Sequence, residues 1–231
     1  MLTANAAGLK LKVNSLKDVI KSQESGIFTL QETHFTKKGK ISMQGRRFFE
    51  SIRNKKGGGT MIGVHESLNP ILISEYSDPF ELLVVEISLE NKDIRIISGY
   101  GPQDSWKIEE RLPFFASLEE EIAKAELAGK QIVLSFDANS KLGPEWIPDD
   151  PHSPSPSGMI LSGIMEIHAL FVANGVKNKC TGVITRKRST VDGEEISAID
   201  FVILSHELVN NLVSLKINED KKKLSEKSHK N

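Results

Sequence analysis

Ile132-Val133-Leu134-Ser135-Phe136-Asp137-Ala138-Asn139 couples a short apolar run to two polar groups. Three consecutive branched residues predict a buried strand, and Asp137 and Asn139 then stand at its end. The pattern recurs along the chain. Ile27-Phe28-Thr29-Leu30 runs into Gln31-Glu32, and Asp200 stands directly before Phe201-Val202-Ile203-Leu204. Leu82–Leu89 and Ile94–Ser98 predict a hairpin around Glu90-Asn91-Lys92-Asp93, with Tyr100 just past its second strand. Phe48–Ile52 and Thr60–Val64 predict a further strand pair, connected through Gly57-Gly58-Gly59. Val13, Leu16, Val19 and Ile20 share one helical face. Leu112–Ala128 predicts a helix whose apolar face is Phe114, Phe115, Leu118, Ile122 and Ala125, with Gly129 as its stop. Ile160–Ala173 predicts another helix, stopped near Asn174-Gly175. Lys141–Ser157 carries Pro144, Pro148, Pro151, Pro154 and Pro156 and reads as a loop. Strands and helices alternate, but the hairpins are antiparallel. A mixed α/β protein with two sheets follows, rather than one parallel sheet.

The 231 residues, 39% hydrophobic and 26% charged, suit a buried core in one domain spanning residues 1–231. Both ends read as cuts through a longer protein. The net charge of −1 supplies no global field toward nucleic acid, so any such binding depends on local patches. Cys180 is the single cysteine, which excludes an intrachain disulfide and suits a reducing intracellular compartment, nucleus or cytoplasm. No stretch has the apolar length of a membrane span.

Taken singly, an Asp or Glu at a strand end is a turn former. Tyr100 in Gly99-Tyr100-Gly101-Pro102 reads as a turn aromatic, and Asn139 as an Asx turn. Taken together they read differently. In a sandwich of antiparallel sheets, starts and ends of neighbouring strands meet at one edge, so four strand ends bring carboxylates, an amide and a phenol toward one cleft. Clustered carboxylates repel one another unless a cation sits among them. Oxygen donors of this kind suit Mg²⁺ or Mn²⁺ rather than zinc, and such an ion stabilises the charge of a phosphoryl transition state.

The ordered set resembles a known superfamily. Thr3-Ala4-Asn5-Ala6-Ala7-Gly8-Leu9 resembles the first asparagine motif of the endonuclease/exonuclease/phosphatase superfamily, and Gln31-Glu32-Thr33 its Gln-Glu metal motif. Tyr100-Gly101-Pro102 resembles its tyrosine-proline segment, Asp137-Ala138-Asn139 its Gly-Asp-Phe-Asn motif, and Ser197-Ala198-Ile199-Asp200-Phe201 its Ser-x-x-Asp-Tyr motif. The resemblance implies a four-layer α-β-β-α sandwich of two mixed, largely antiparallel sheets flanked by helices. It also implies roles. Glu32, with Asn5 close by, would hold Mg²⁺ or Mn²⁺. Asp137 would orient or deprotonate the attacking water, and Asn139 would hold the scissile phosphate. Tyr100 would bond a phosphate oxygen, Asp200 would support the metal side or the hydrogen-bond network, and Ser197 would stand behind it. Gln31-Glu32-Thr33-His34 and Asp137-Ala138-Asn139-Ser140-Lys141-Leu142-Gly143 are most similar to endonuclease domains of non-LTR retrotransposons. Such a domain nicks target DNA so that the reverse transcriptase joined to it can prime. An abasic-site repair nuclease, a phosphatase of the same fold, and a truncated inactive domain that binds nucleic acid remain alternatives.

Two departures from the superfamily pattern stand out. Phe136 occupies the place of a glycine. The closing Ser-Asp-His of the superfamily has no match, because His229 in Lys227-Ser228-His229-Lys230-Asn231 lacks a preceding Asp. The expectation is that the true Asp-His lies beyond Asn231 and that this polypeptide alone is weak or inactive. His34, His65, His152, His168 and His206 show no metal spacing, and His168 reads as a satisfied core histidine. Gly57-Gly58-Gly59 lacks the Gly-Lys-Ser/Thr context of a phosphate loop. The basic residues Lys37, Lys38, Lys40, Arg46, Arg47, Arg53, Lys55 and Lys56, and the run Arg186-Lys187-Arg188, are candidates for DNA-backbone contact. Glu119-Glu120-Glu121 reads as a solvated helix face.

Overall fold

The computed structural model describes residues 1–9, 12–22, 25–53, 57–77, 80–90, 92–190 and 193–217, with the side chains of 188–190 and 193–194 outside the description. The chain forms two compact units, Met1–Tyr100 and Gly101–Glu219.

The first unit contains β1 (Leu2–Asn5), α1 (Val13–Ser22), β2 (Ile27–Gln31), β3 (Arg46–Ser51), β4 (Thr60–His65), β5 (Ile71–Tyr76), β6 (Glu81–Leu89) and β7 (Lys92–Tyr100). One sheet has the order β1-β2-β4-β3, with β1 and β2 parallel and the other pairs antiparallel. β5, β6 and β7 form an antiparallel meander with a bulge between Leu72 and Ser74. The inward faces of β2, β4 and β7 meet at a buried polar knot. Gln31 Nε2 donates to Ser98 Oγ at 3.1 Å, and Thr60 Oγ1 lies 3.1 Å from the same hydroxyl.

α1 packs Leu16 and Ile20 into a core with Leu9, Phe28, Leu30 and Met61. Phe28 is central. Its ring meets Phe48 edge-on at 5.6 Å, with the Arg46 guanidinium 5.9 Å from its centroid. Gly63 lies opposite Phe28 in the register, and a Cβ there would fall 1.9 Å from Phe28 Cζ. The ring therefore occupies space that only a glycine leaves open. Truncating such a buried Phe costs about 3–5 kcal/mol.

The second unit contains α2 (Ile108–Leu127), β8 (Gln131–Asp137), α3 (Pro156–Ile167), β9 (Leu170–Val172), β10 (Cys180–Thr181), β11 (Arg186–Thr190), β12 (Gly193–Ser197), β13 (Asp200–Ser205), α4 (His206–Asn210) and β14 (Leu215–Lys216). β13 runs antiparallel between β8 and β9, β11 and β12 form a hairpin, and β10 pairs β14 in parallel.

α2 begins one turn before the predicted start, where Glu110 Oε2 accepts from Lys107 N at 3.0 Å. α3 also begins earlier, with Ser155 as N-cap and Pro156 in its first turn. It ends at Ile167 because Ala169 turns left-handed at φ 47°, and Leu170–Val172 becomes a strand rather than the end of a helix. Short apolar runs do not reveal by period alone whether they are helical. The starts of α2 and α3 are joined by Arg111, which reaches Asp104 at 3.0 Å and Ser157 Oγ at 2.8 Å. Glu121 is fully buried in α2 and pairs Lys124 at 2.9 Å, so it is not part of a solvated face.

Candidate active site

In the first unit, β1 and β2 end side by side. Asn5 stands opposite Gln31 in the parallel register, and Ala6 N donates to Gln31 O at 2.8 Å. Gly8 N then donates to the Glu32 carbonyl at 2.8 Å, which draws the loop after β1 along the bend after β2. Asn5 Oδ1 accepts from Ala7 N at 2.9 Å, closing an Asx turn. Glu32 and His34 both have left-handed backbones, φ 51° and 54°. Such conformations in non-glycine residues cost energy and persist only where the surroundings enforce them. The enforcement comes from the triple glycine: Thr33 N donates to Gly59 O at 3.0 Å and His34 N to Gly58 O at 2.9 Å. Gly57, Gly58 and Gly59 all have φ between 70° and 88°, and a Cβ on Gly59 would fall 2.5 Å from Thr33 Oγ1. The glycines shape the bend that presents Glu32. The Glu32 carboxylate is one-quarter exposed, with His34 Nε2 at 3.8 Å.

Among the described residues no group of three His, Cys, Asp or Glu side chains is arranged to hold a metal. One carboxylate and one amide on neighbouring strand ends do not make a zinc site. They fit Mg²⁺, which uses one or two carboxylates with water and substrate phosphate as its remaining ligands.

Tyr100, the last residue of β7, stands opposite Glu81, the first of β6. Glu81 is buried, with Arg53 Nε 3.4 Å from Oε1, and a Cβ on Gly58 would fall 2.5 Å from the same oxygen. Hydrophobic patterning does not reveal this buried ion pair. An acidic residue opening an otherwise apolar strand, directly across from Tyr100, was the available signal.

In the second unit, Asp137 closes β8, is 2% exposed, and stands opposite Asp200 in the antiparallel register with β13. Residues directly opposite share a sheet face, and like charges there are unfavourable without compensation. Asn139 N donates to Asp137 Oδ1 at 3.0 Å, and Asn139 itself is left-handed at φ 48°. Asn139 Nδ2 donates to Gly101 O at 2.9 Å, while Gly101 N donates to Asp137 O at 2.7 Å. The two backbones are so close that a Cβ on Gly101 would lie 2.5 Å from Ala138 O. Phe136, in the place of the superfamily glycine, is buried with its ring 6.4 Å from Phe114 of α2. It packs toward the helix and leaves both polar groups of the turn in place.

Asp200 is positioned from three sides. Thr185 Oγ1 accepts from Ile199 N and Asp200 N at 3.0 and 3.1 Å. Asn174 Nδ2 donates to Asp200 O at 3.1 Å, and Asn174 Oδ1 accepts from Val202 N at 2.9 Å. Ala138 N donates to Ile199 O at 2.8 Å. Ser197 is buried at the end of β12, and its carbonyl accepts from Thr185 N at 3.1 Å. Thr185 and Asn174 were not foreseen, since their roles depend on strands far away in sequence.

The basic run opens β11, and Arg186 stands opposite Ser197. Arg186 and Arg188 alternate with Lys187 across the hairpin, and the Arg188 side chain lies outside the described residues. Lys38 of the other basic region is engaged with Glu75 at 2.6 Å. Lys55, Lys56 and His229 lie outside the described residues. His168 Nδ1 donates to Glu126 Oε2 at 2.8 Å. His152, discounted in the sequence, lies with Nδ1 3.1 Å from Asp150 Oδ1. No helix among the described residues is long and apolar enough to cross a membrane.

No family model and no curated protein matches the sequence. Solved structures do. The endonuclease domain of TRAS1, a telomere-specific non-LTR retrotransposon, is 21% identical with a TM-score of 0.65, covering 90% of this chain and 86% of that one. The AP endonuclease of Leishmania major is 14% identical with a TM-score of 0.72, covering 90% and 79%. A 3' phosphatase from Neisseria, bound to a product DNA hairpin, is 17% identical with a TM-score of 0.66, covering 90% and 88%. These likenesses fix the architecture: this chain has the α-β-β-α sandwich fold of the endonuclease/exonuclease/phosphatase superfamily that its five motifs resemble.

Proposed function

We propose that this chain is a divalent-metal-dependent phosphodiesterase, a DNA endonuclease that nicks target DNA for retrotransposition and is joined to a reverse transcriptase in the full-length protein. The observation that carries the reading is the turn Asp137-Ala138-Asn139. It is held at a strand end by Gly101 on one side and by Ile199, next to Asp200, on the other. So close an arrangement of two carboxylates and an amide, built with glycine-only clearance, serves chemistry better than it serves stability. The likeness to the TRAS1 domain supports the retrotransposon assignment, and the DNA-bound neighbour supports DNA as substrate.

The residues divide the work. Asn5 and Glu32 would hold Mg²⁺ or Mn²⁺, which when bound supplies charge stabilisation at the phosphate. Asp137, buried and accepting from Asn139 N, has its carboxylate fixed to orient the attacking water and take its proton. Asn139 uses one amide hydrogen on Gly101 O, which sets the direction of the other toward a phosphate oxygen. Tyr100 donates its hydroxyl to a phosphate oxygen. Asp200, directly opposite Asp137, would support the metal side or the hydrogen-bond network, and Ser197 would stand behind it, its carbonyl accepting from Thr185 N.

The test is cleavage of supercoiled plasmid, an abasic oligonucleotide and a phosphoinositide by the full-length protein, each with Mg²⁺ and with chelator. The expected result is metal-dependent nicking of the plasmid that Glu32→Gln and Asp137→Asn each abolish. Preferential attack on the abasic duplex or the phosphoinositide would replace the endonuclease reading with one of its relatives. Plasmid nicking that persists in chelator would overturn the metal assignment.

A further inference from the structure

We propose that Asp150 and His152 form a second phosphate-contacting site, which takes a backbone phosphate of the DNA strand flanking the scissile one. The inference rests on the reading of the chain as a DNA phosphodiesterase. The Asp150 side chain is fully enclosed, and its Oδ1 accepts from His152 N at 3.1 Å and faces His152 Nδ1 at 3.1 Å. A carboxylate only accepts, so the Nδ1 hydrogen is directed at Asp150 and Nε2 is left as the ring's second bonding position. The His152 side chain is 26% exposed. Asp150 Oδ2 is buried and has no hydrogen-bond donor among the described residues. A buried carboxylate is tolerated when it is hydrogen-bonded and a cation balances it, and the imidazole fills both roles here when both of its nitrogens carry protons. With the ring protonated, Nε2–H is a charged donor backed by a fixed anion, a strong contact for a phosphate oxygen.

The loop that carries the pair is tied at its base and packed along its length. Lys141 N donates to Ser155 Oγ and Ser155 N to Lys141 O, at 3.1 and 2.9 Å, so the two ends are clasped. Leu142 and Ile147 are fully buried, and a Cβ on Gly143 would fall 2.8 Å from Pro154 Cδ. The clasp also sets the reach. Asn139 lies two residues before Lys141 and His152 three before Ser155. At about 3.4 Å per residue plus the width of the clasp, the Cα atoms of the two residues stand within roughly 20–25 Å of each other. That span covers on the order of six phosphates of one strand. Metal binding is the weaker use of this imidazole, because no third protein ligand joins the pair among the described residues.

A pair that merely fastened the loop would affect folding and leave the salt dependence of DNA binding unchanged. The experiment is fluorescence anisotropy of a labelled duplex at about pH 6, with chelator, between roughly 50 and 200 mM salt. Wild type, His152→Ala and His152→Lys are compared, with urea unfolding of each. His152→Ala is expected to weaken binding about 5–10-fold at the low-salt end and to lower the log–log salt slope by about one, with His152→Lys restoring the slope. An unchanged affinity and slope in His152→Ala would overturn the site. If His152→Ala is poorly folded, His152→Lys decides: a slope restored to that of wild type supports the contact, and a lowered slope in a folded Lys variant overturns it. Absence of salt-dependent binding by the wild type would instead remove the DNA reading on which the site stands.

Discussion

Gly101→Ala is the sharpest way to separate positioning from stability at the Asp137–Asn139 turn. The new Cβ would lie 2.5 Å from Ala138 O and 2.9 Å from Ala138 C, whereas ordinary contact begins at 3.4 Å, so the turn must retreat by about 0.9 Å. It cannot retreat alone. Ala138 N is bonded to Ile199 O, Asn139 Nδ2 to Gly101 O and Gly101 N to Asp137 O, so every displacement moves a proposed catalytic group or breaks one of these bonds. Overpacking of this kind costs about 1–3 kcal/mol, a destabilisation that a folded domain survives. A misplacement near 1 Å of reacting groups costs about 10²-fold in rate. The expected outcome is a protein with a native circular dichroism spectrum, a modestly lower urea midpoint, and plasmid nicking reduced by about two orders of magnitude. Gly163→Ala is the control, because nothing lies within 4 Å of its Cβ in α3. It is expected to stabilise by about 0.5–1 kcal/mol and leave nicking unchanged. Normal turnover by Gly101→Ala at normal stability would refute the close approach. Normal turnover at reduced stability would refute the catalytic placement of the turn.

Gly63→Ala is expected to lower stability by about 3 kcal/mol, read from the urea midpoint, because its Cβ falls on the Phe28 ring; pairing it with Phe28→Leu should recover part of the loss. Glu32→Gln should abolish Mn²⁺-dependent relaxation enhancement and lower nicking by at least about 10²-fold, and equal Mn²⁺ binding by both proteins would remove Glu32 from the metal site. Alanine at Arg186, Lys187 and Arg188 together should reduce the log–log salt slope of DNA binding by about two to three; an unchanged slope would make β11 an ordinary solvated strand. Glu50 is buried, and that burial raises its carboxyl above the ordinary range, against the opposing bond from Gly39 N and the charge of Lys38. A carboxyl raised in the folded state stabilises below its unfolded value, and that contribution is lost as pH rises through the folded one. Glu50→Gln should therefore raise stability at neutral pH and much less at about pH 4, measured by urea titration at both.

The polar strand ends were legible because each follows or precedes an apolar run short enough to be a single strand. Glu32, Tyr100, Asp137 and Asp200 all fall at such ends. What holds them there was not legible. Arg53 and Glu81 meet only because the chain folds back on itself, and hydrophobic patterning carries no sign of a buried charge with a partner; Asp150 and His152 are neighbours in sequence, but nothing in the pattern shows that the carboxylate is enclosed. Glu121 misled for the same reason: three consecutive acids read as solvent-facing, yet helical geometry turns one of them inward against Lys124. β5 escaped notice because it is an edge strand with Ile71, Leu72 and Ile73 all substantially exposed, so no alternation marks it. β11 was hidden by its charge, since Arg-Lys-Arg has the composition of a loop while its pairing with β12 makes it a strand.

Asn174-Gly175 has a bearing on how the protein ages. Asn-Gly is the dipeptide most prone to deamidation, because glycine lets the following nitrogen reach the asparagine carbonyl and close a succinimide ring. Packing nevertheless requires both residues here. Gly175 passes the Trp146 carbonyl at a distance where a Cβ would lie 2.0 Å away, and Asn174 bridges Asp200 O and Val202 N with the two ends of its amide. In the folded state those two bonds hold the amide away from ring closure, so the lesion forms when the unit opens. Once formed, it replaces a donor to Asp200 O with a carboxylate facing the same carbonyl. Each opening thus carries a chance of irreversible damage at the strand that presents Asp200, and the rate of chemical decay during storage becomes a clock for local unfolding.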